Sequence, residues 1–426
     1  MSFITDYLQF TSNTESPVDY HKWSCLATLS VLAGRRFWFR LGPITYYPNL
    51  YIVLVGHPGV KKSSALDRAK DVVRAVGCCP IAAAQATKEF IAKTMTQEKF
   101  SGRRFFKNSD GQLEEYNQYA IFATELTQFI GVNPIGMLDF LTTVYTEKVY
   151  DCDTKGQGSD LVVGPYITLL ACLTPEMLKG YLKMNVLTGG FARRTVFVYG
   201  TAGAPIPWPG FTPEQVAAQD RCVQWGKQMQ SCSGEFFMDD GAKRWYEEWY
   251  VKLNTNITDI AKPSTEGYYR TKHEILFKAA MLTALSESLA NSVITAAHLE
   301  FVENRFLLPF EKNLERVFEG AGINPNAAAA VQICRMLEAL DKPFPRKRVE
   351  AMFFDQVTSL NELRDTLTHL ITVGRLAERT VSVGGKIIGS VLSAPSAMSR
   401  FSDSQLAAIL LASDRTTVPL SGEGLS

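Results

Sequence analysis

Paired metal-ligand or disulfide spacings are absent from this chain. Its eight cysteines are spread over 426 residues, Cys78 and Cys79 are adjacent, and no C-x-x-C pair occurs. The five histidines (His21, His57, His273, His298 and His369) are scattered, so neither a zinc site nor a disulfide framework is expected; reduced, buried thiols of a cytoplasmic protein are. Charge of one sign is missing too. Lysine plus arginine total 44 against 43 aspartates and glutamates, a formal net charge of +1, which excludes a histone-like polyanion binder and leaves local basic patches or a ring of subunits for any nucleic-acid contact. The longest apolar run, 161–173, is broken by Gly164 and Pro165 and is shorter than the roughly 20 residues of a membrane span. The opening MSFITDYLQF has no basic and then apolar stretch of a signal peptide. No internal repeat is visible. With 46% hydrophobic and 20% charged residues the chain is globular, and its length implies two to four compact units.

Patterning orders those units. Ser16-Pro17 reads as an N-cap and first helical residue of a helix to about Leu32, stopped by Gly34. Residues 36–41 alternate as a strand, and 49–55 (NLYIVLV) form a continuous apolar run, a strand buried on both faces. A helical period follows over 63–76. Further apolar strands are expected at 119–123, 166–172 and 195–199, so the sheet is read as largely parallel, in an α/β fold. Proline and glycine are dense at 201–213, and 320–325 reads GAGINP. The expected organisation is an N-terminal helix and strand extension (1–48), an α/β core (49–205), a helical lid (206–319), a winged-helix-like domain of three helices and a hairpin (320–395), and a flexible tail with a short helix capped by Ser402 and Gln405 (396–426).

Between the 49–55 strand and its helix lies GHPGVKKSS. Gly56, Lys62 and Ser63 fit the phosphate-loop pattern G-x-x-x-x-G-K-[ST], Gly59 adds a turn glycine, and Ser64 follows. Amides at the helix start and the helix dipole favour phosphate. The pattern therefore implies ATP, with Lys62 bridging its phosphates and Ser63 ligating Mg²⁺. Lys61 stands where the second motif glycine is usual. A partner carboxylate is expected at the end of a neighbouring strand. Glu125, after YAIFA, fits as the group that polarises water and helps hold Mg²⁺, although Thr124 replaces the usual preceding aspartate.

Other polar groups close the later strands. Thr174 is read as a γ-phosphate sensor or as the N-cap of a helix over 175–187. Arg193 and Arg194 follow Gly189-Gly190, and either a salt bridge or an arginine reaching a neighbouring subunit's nucleotide fits them. Residues 147–164 read as a hairpin whose tip carries Lys155, a phosphate contact in a ring pore or a plain surface hairpin. Residues 86–108, with Arg103 and Arg104 among interleaved phenylalanines, suit single strands or an amphipathic surface helix.

In order and spacing, Tyr20-His21, Pro48-Asn49-Leu50-Tyr51, Gly59 to Ser64, Thr124-Glu125-Leu126, Pro165 to Pro175, Gly190 to Arg194 and the Arg270…Lys278-Ala279-Ala280 helix resemble a phage and prophage family of P-loop ATPases, known as a domain of unknown function and often fused to a primase-polymerase. The resemblance covers roughly residues 15–310. It implies a RecA/AAA-like core, a ring, most often hexameric, that drives a helicase or translocase on DNA, more often single-stranded, and a primase on a separate chain. It also implies a basic residue at Lys61 and makes Arg194, rather than Arg193, the arginine acting in trans. A nucleotide-gated DNA-binding or helicase-loader protein with little hydrolysis is the alternative, in keeping with Thr124.

Overall fold

The computed structural model describes residues 2–82, 84–97, 102–108, 110–131, 133–154, 158–181, 190–207, 210–261, 265–318, 325–354 and 359–413. They divide into two compact units, 1–322 and 323–426.

In the first unit β1 (Phe37–Leu41) and β2 (Ile44–Tyr46) form a hairpin. The strands β3 (Tyr51–Val55), β4 (Arg103–Lys107), β5 (Leu113–Ala123), β6 (Val149–Thr154), β7 (Gly158–Val163), β8 (Pro165–Leu173) and β9 (Thr195–Tyr199) follow. The main sheet has the order β4-β5-β8-β3-β9. Its last four strands are parallel, and only the edge strand β4 runs antiparallel. Every residue of β3 and β8 is buried, because helices cover both faces of a parallel sheet. The protein is thus a mixed α/β chain with a mostly parallel sheet, as the apolar runs implied.

The strand read at 119–123 begins earlier, at Leu113. Its first half is polar and carries no apolar signal; it is held by pairing with β4, Lys107 opposite Leu113 and Arg103 opposite Asn117. Glu114 and Glu115 therefore belong to a strand. The helix expected from Ser16-Pro17 spans Val18–Ala33, with Pro17 at the cap and no side-chain cap, so Ser16 does not cap it. A helix at Phe3–Phe10, capped by Ser2, precedes it.

The second half of this unit brings β10 (Gly234–Met238) and β11 (Val293–Ile294). β10 pairs in parallel with β1, giving a second sheet β11-β10-β1-β2. Arg36 donates from Nη1 to the Met229 carbonyl at 2.7 Å, and the helix Pro213–Met229 packs on both Phe3–Phe10 and the helix Lys62–Val76. Positions 48 and 205, drawn as boundaries in the sequence, thus fall inside one compact unit, whose main hydrophobic core draws on residues from Phe3 to Val317.

The second unit has helices Pro325–Leu340, Arg346–Phe353 and Leu360–Thr372, a short β12 (Phe344–Pro345), and a hairpin of β13 (Ala377–Val383) and β14 (Lys386–Ser393). Gly384 and Gly385 turn that hairpin with φ of 59° and 80°, the left-handed values its tight turn demands. Ile333, Leu337, Val349, Leu363, Leu367 and Leu392 form its core. The helix Asp403–Ser413 packs Leu406 and Leu410 against Val381 and Val391, so the segment read as tail adds a small core up to residue 413. Among the described residues no helix is long and apolar enough to cross a membrane. All eight cysteines are free.

Candidate functional site

The carboxyl ends of the parallel strands collect the polar groups singled out in the sequence. Val55 pairs with Leu173 and with Tyr199, and Ala123 with Ala171. Gly56 and Thr174 follow these strands directly and Glu125 follows after Thr124, so all three lie along one edge of the sheet. Ligands of open α/β sheets bind outside that edge.

The loop from Gly56 to Lys61 joins β3 to the helix Lys62–Val76. Gly56 is sterically required: a Cβ there would stand 2.5 Å from Tyr20 Oη and 2.9 Å from the Gly200 carbonyl. Tyr20 is buried beneath the loop and donates to the Val55 carbonyl at 2.6 Å. Gly59 turns the loop at φ 89° with open space around it. Lys61, the departure from the motif, adopts the left-handed conformation itself, φ 58° and ψ 35°, and caps the helix without a side-chain bond. Its ammonium turns sideways to Glu15 Oε2 at 3.3 Å. Glu15 also accepts from Ile206 N–H at 2.9 Å, and these two contacts hold its carboxyl below the usual carboxylate range.

Lys62 folds back into the loop. Its Nζ donates to the carbonyls of Gly56 and, at 3.0 Å, His57. Partial burial lowers its pKa, opposed by Cys172 and by the carboxylates of Glu125 and Glu176. An ammonium bonded to backbone carbonyls at a helix start can exchange them for phosphate oxygens. Ser63 is exposed on the first turn of that helix and Ser64 is half-buried. Across the edge, His57 Nδ1 lies 3.2 Å from Glu176 Oε1.

Glu125 is exposed and stands at the cap of the helix Leu126–Ile130, where its carbonyl accepts from Phe129 N–H. Thr174 accepts from Met177 N–H at 3.3 Å, the N-cap reading, for a helix described over Pro175–Tyr181. Among the described residues, no three histidine, cysteine or carboxylate side chains converge as metal ligands.

The remaining candidates lie elsewhere. Arg194 precedes Thr195, the residue paired with Tyr51, and so sits at the opposite end of the sheet from Gly56. It donates to the Gly190 carbonyl at 3.0 Å and faces the Tyr145 ring at 5.8 Å; Arg193 beside it is exposed. Arg103 and Arg104 are on the edge strand β4 rather than on a helix. Arg103 makes two bonds to Glu115, at 2.8 and 2.7 Å, and Arg104 bonds Gln230. β6 and β7 form the expected hairpin, whose tip residue Lys155 lies outside the described residues.

Sequence reasoning missed Glu15, Glu176 and the role of Lys278. Lys278 is fully buried and donates to Asn49 Oδ1 at 2.7 Å and to the Asn49 carbonyl at 3.1 Å, 3.8 Å from the centre of the Tyr145 ring. Burial depresses its pKa to about 7; Glu274 pulls it up, and Arg194 and Arg35 push it down further. Only the polar break that a lysine makes in the apolar stretch Ile275–Leu282 signals it. Compared with known proteins, the chain matches no family model and no curated protein sequence.

Proposed function

We propose that this chain is a P-loop ATPase with a RecA/AAA-like core that works on DNA as a ring, as a helicase or translocase of the phage replication type. The observation that carries the reading is the loop from Gly56 to Ser63. It leaves a central, fully buried strand, opens a fifteen-residue helix and folds the Lys62 ammonium inward, at the carboxyl edge where Glu125 and Thr174 also stand. Loop amides and Lys62 would hold the β- and γ-phosphates of ATP. Mg²⁺, which usually keeps several waters and takes only one or two protein groups, fits Ser63 on the first helical turn with Glu125 beyond it. Bound Mg²⁺ would neutralise phosphate charge, and Glu125 would orient and deprotonate the attacking water.

Arg194 is assigned to a neighbour's nucleotide in this reading. It lies a full strand's length, roughly 15 Å, from its own loop, which argues against a role at that loop. The hexameric ring, the single-stranded DNA, a primase on a separate chain and the phage-type family belong to the same proposal. So does the assignment of the three helices and hairpin of the second unit as a winged helix. A second reading, a nucleotide-gated DNA-binding or loader protein, is favoured by Thr124 in place of an aspartate. ATP turnover with and without single-stranded DNA separates the two. In the motor reading DNA stimulates turnover, and Glu125→Gln retains ATP binding while losing hydrolysis. Binding without turnover in the parent selects the loader, and hydrolysis by Glu125→Gln at the parental rate removes Glu125 as base.

A further inference from the structure

Away from the phosphate loop, at the amino-terminal ends of β5 and β8, a pocket of about 320 Å³ opens between the main sheet and the β1-β2 hairpin. One wall is Trp38 of β1, 4% exposed, whose indole Nε1–H is buried with no acceptor among the described residues. Buried donors of this kind are rare in folded proteins and call for an explanation. A second wall is a flat platform: the Arg35 guanidinium lies 3.8 Å from the centre of the Tyr47 ring, and both groups are half-buried. Glu114 of β5 also lines the pocket and accepts from Asn108 Nδ2 at 2.8 Å, leaving its second oxygen for another donor. Lys148 stands exposed at the rim beside Arg40, whose Nε lies 3.6 Å from Glu235 Oε1.

We infer that this pocket is a nucleobase-binding subsite, filled by a base turned out of a single strand. The walls supply what a base needs. A planar ring stacks on the Arg35–Tyr47 platform, a base acceptor satisfies the Trp38 N–H, and a base N–H reaches Glu114. The rim cations take the flanking phosphates, a combination of stacking with an electrostatic track that suits single-stranded nucleic acid. A pocket of this volume admits one base with its sugar, and not a duplex. A free mononucleotide carries the same base chemistry. The inference deepens the DNA-motor reading, because it gives the DNA a place that the ATP site does not share.

The test uses the full chain without ATP and a fluorescein-labelled oligodeoxythymidylate of about fifteen nucleotides, a length that spans one such site. Anisotropy gives the affinity, with thymidine monophosphate as competitor. Trp38→Phe keeps the ring and removes the unpaired donor, so the fold is preserved while affinity falls roughly 3- to 10-fold, the worth of one hydrogen bond. Tyr47→Ala removes the platform and weakens binding roughly 5- to 100-fold. Competition by thymidine monophosphate at concentrations that match the oligonucleotide's affinity assigns the pocket to a free nucleotide; failure to compete assigns it to a strand. Folded Trp38→Phe and Tyr47→Ala variants that bind as the parent does, or a parent that binds neither probe, overturn the inference. A chain that shows these losses yet hydrolyses no ATP keeps the subsite and loses the motor.

Discussion

Lys61 Nζ lies 3.3 Å from Glu15 Oε2, and the lysine making that pair holds a left-handed backbone at φ 58°. Two terms oppose each other at this position. A non-glycine residue in the left-handed region costs about 1–2 kcal/mol. A half-exposed ion pair returns about 0–1 kcal/mol.

Lys61→Gly should therefore stay close to the parent, within about 1–1.5 kcal/mol either way, because relief of the left-handed strain is offset by the lost ion pair and by the glycine's extra unfolded-state entropy of about 0.5–1 kcal/mol. Lys61→Val puts a β-branched side chain in the same conformation and should fall about 1 kcal/mol or more below the glycine variant. Urea denaturation of the three proteins checks the order; a valine variant as stable as the glycine one would mean that the loop does not keep the left-handed turn.

That position also marks how far the sequence could be read. The 49–55 strand was legible because burial on both faces leaves an unbroken apolar run, and the glycines at 56 and 59 marked the loop after it. The motif marked position 61 as one where glycine is usual, and the lysine there meets the same left-handed demand. β5 was half legible: Tyr119–Ala123 is apolar, whereas Leu113–Gln118 is polar and owes its strand to β4 across it. Contacts distant in sequence left no trace. Glu15 is 46 positions from Lys61, and Lys278 is 229 from Asn49. The pairing of β1 with β10 joins segments nearly two hundred residues apart, which is why the Pro- and Gly-rich stretch before it read as a domain boundary.

Lys278 carries a pH signature. Its pKa in the folded chain is about 7, against about 10.4 when unfolded. Between those values the unfolded chain binds a proton that the folded chain does not, so stability rises with pH across the window, by about 1.4 kcal/mol per pH unit from this group. Below pH 7 both states hold the proton and the contribution is flat. Lys278→Met removes the term. The stability difference, parent minus variant, should grow from pH 7 towards pH 10. Parallel profiles would show that Lys278 is not depressed by burial.

Arg194 should act only across a subunit boundary. Arg194→Ala should lower turnover by about 10³–10⁵, the range of an arginine finger, while leaving ATP affinity close to the parent's. Mixing it with Lys62→Ala should restore part of the activity, because mixed interfaces pair an intact loop with an intact arginine. Mixtures that co-assemble and stay inactive would return Arg194 to its bond with the Gly190 carbonyl.

The phosphate loop is the centre of this reading, and binding of Mg-ATP by calorimetry addresses it without requiring a ring, DNA or turnover. The parent should bind ATP. Lys62→Ala should fold normally, since the ammonium bonds only loop carbonyls. Its affinity for ATP should drop by about 10- to 100-fold, the worth of a charge-assisted hydrogen bond to phosphate at about 1.5–3 kcal/mol. A folded Lys62→Ala protein that binds Mg-ATP as tightly as the parent, or a parent that does not bind it, would contradict the assignment.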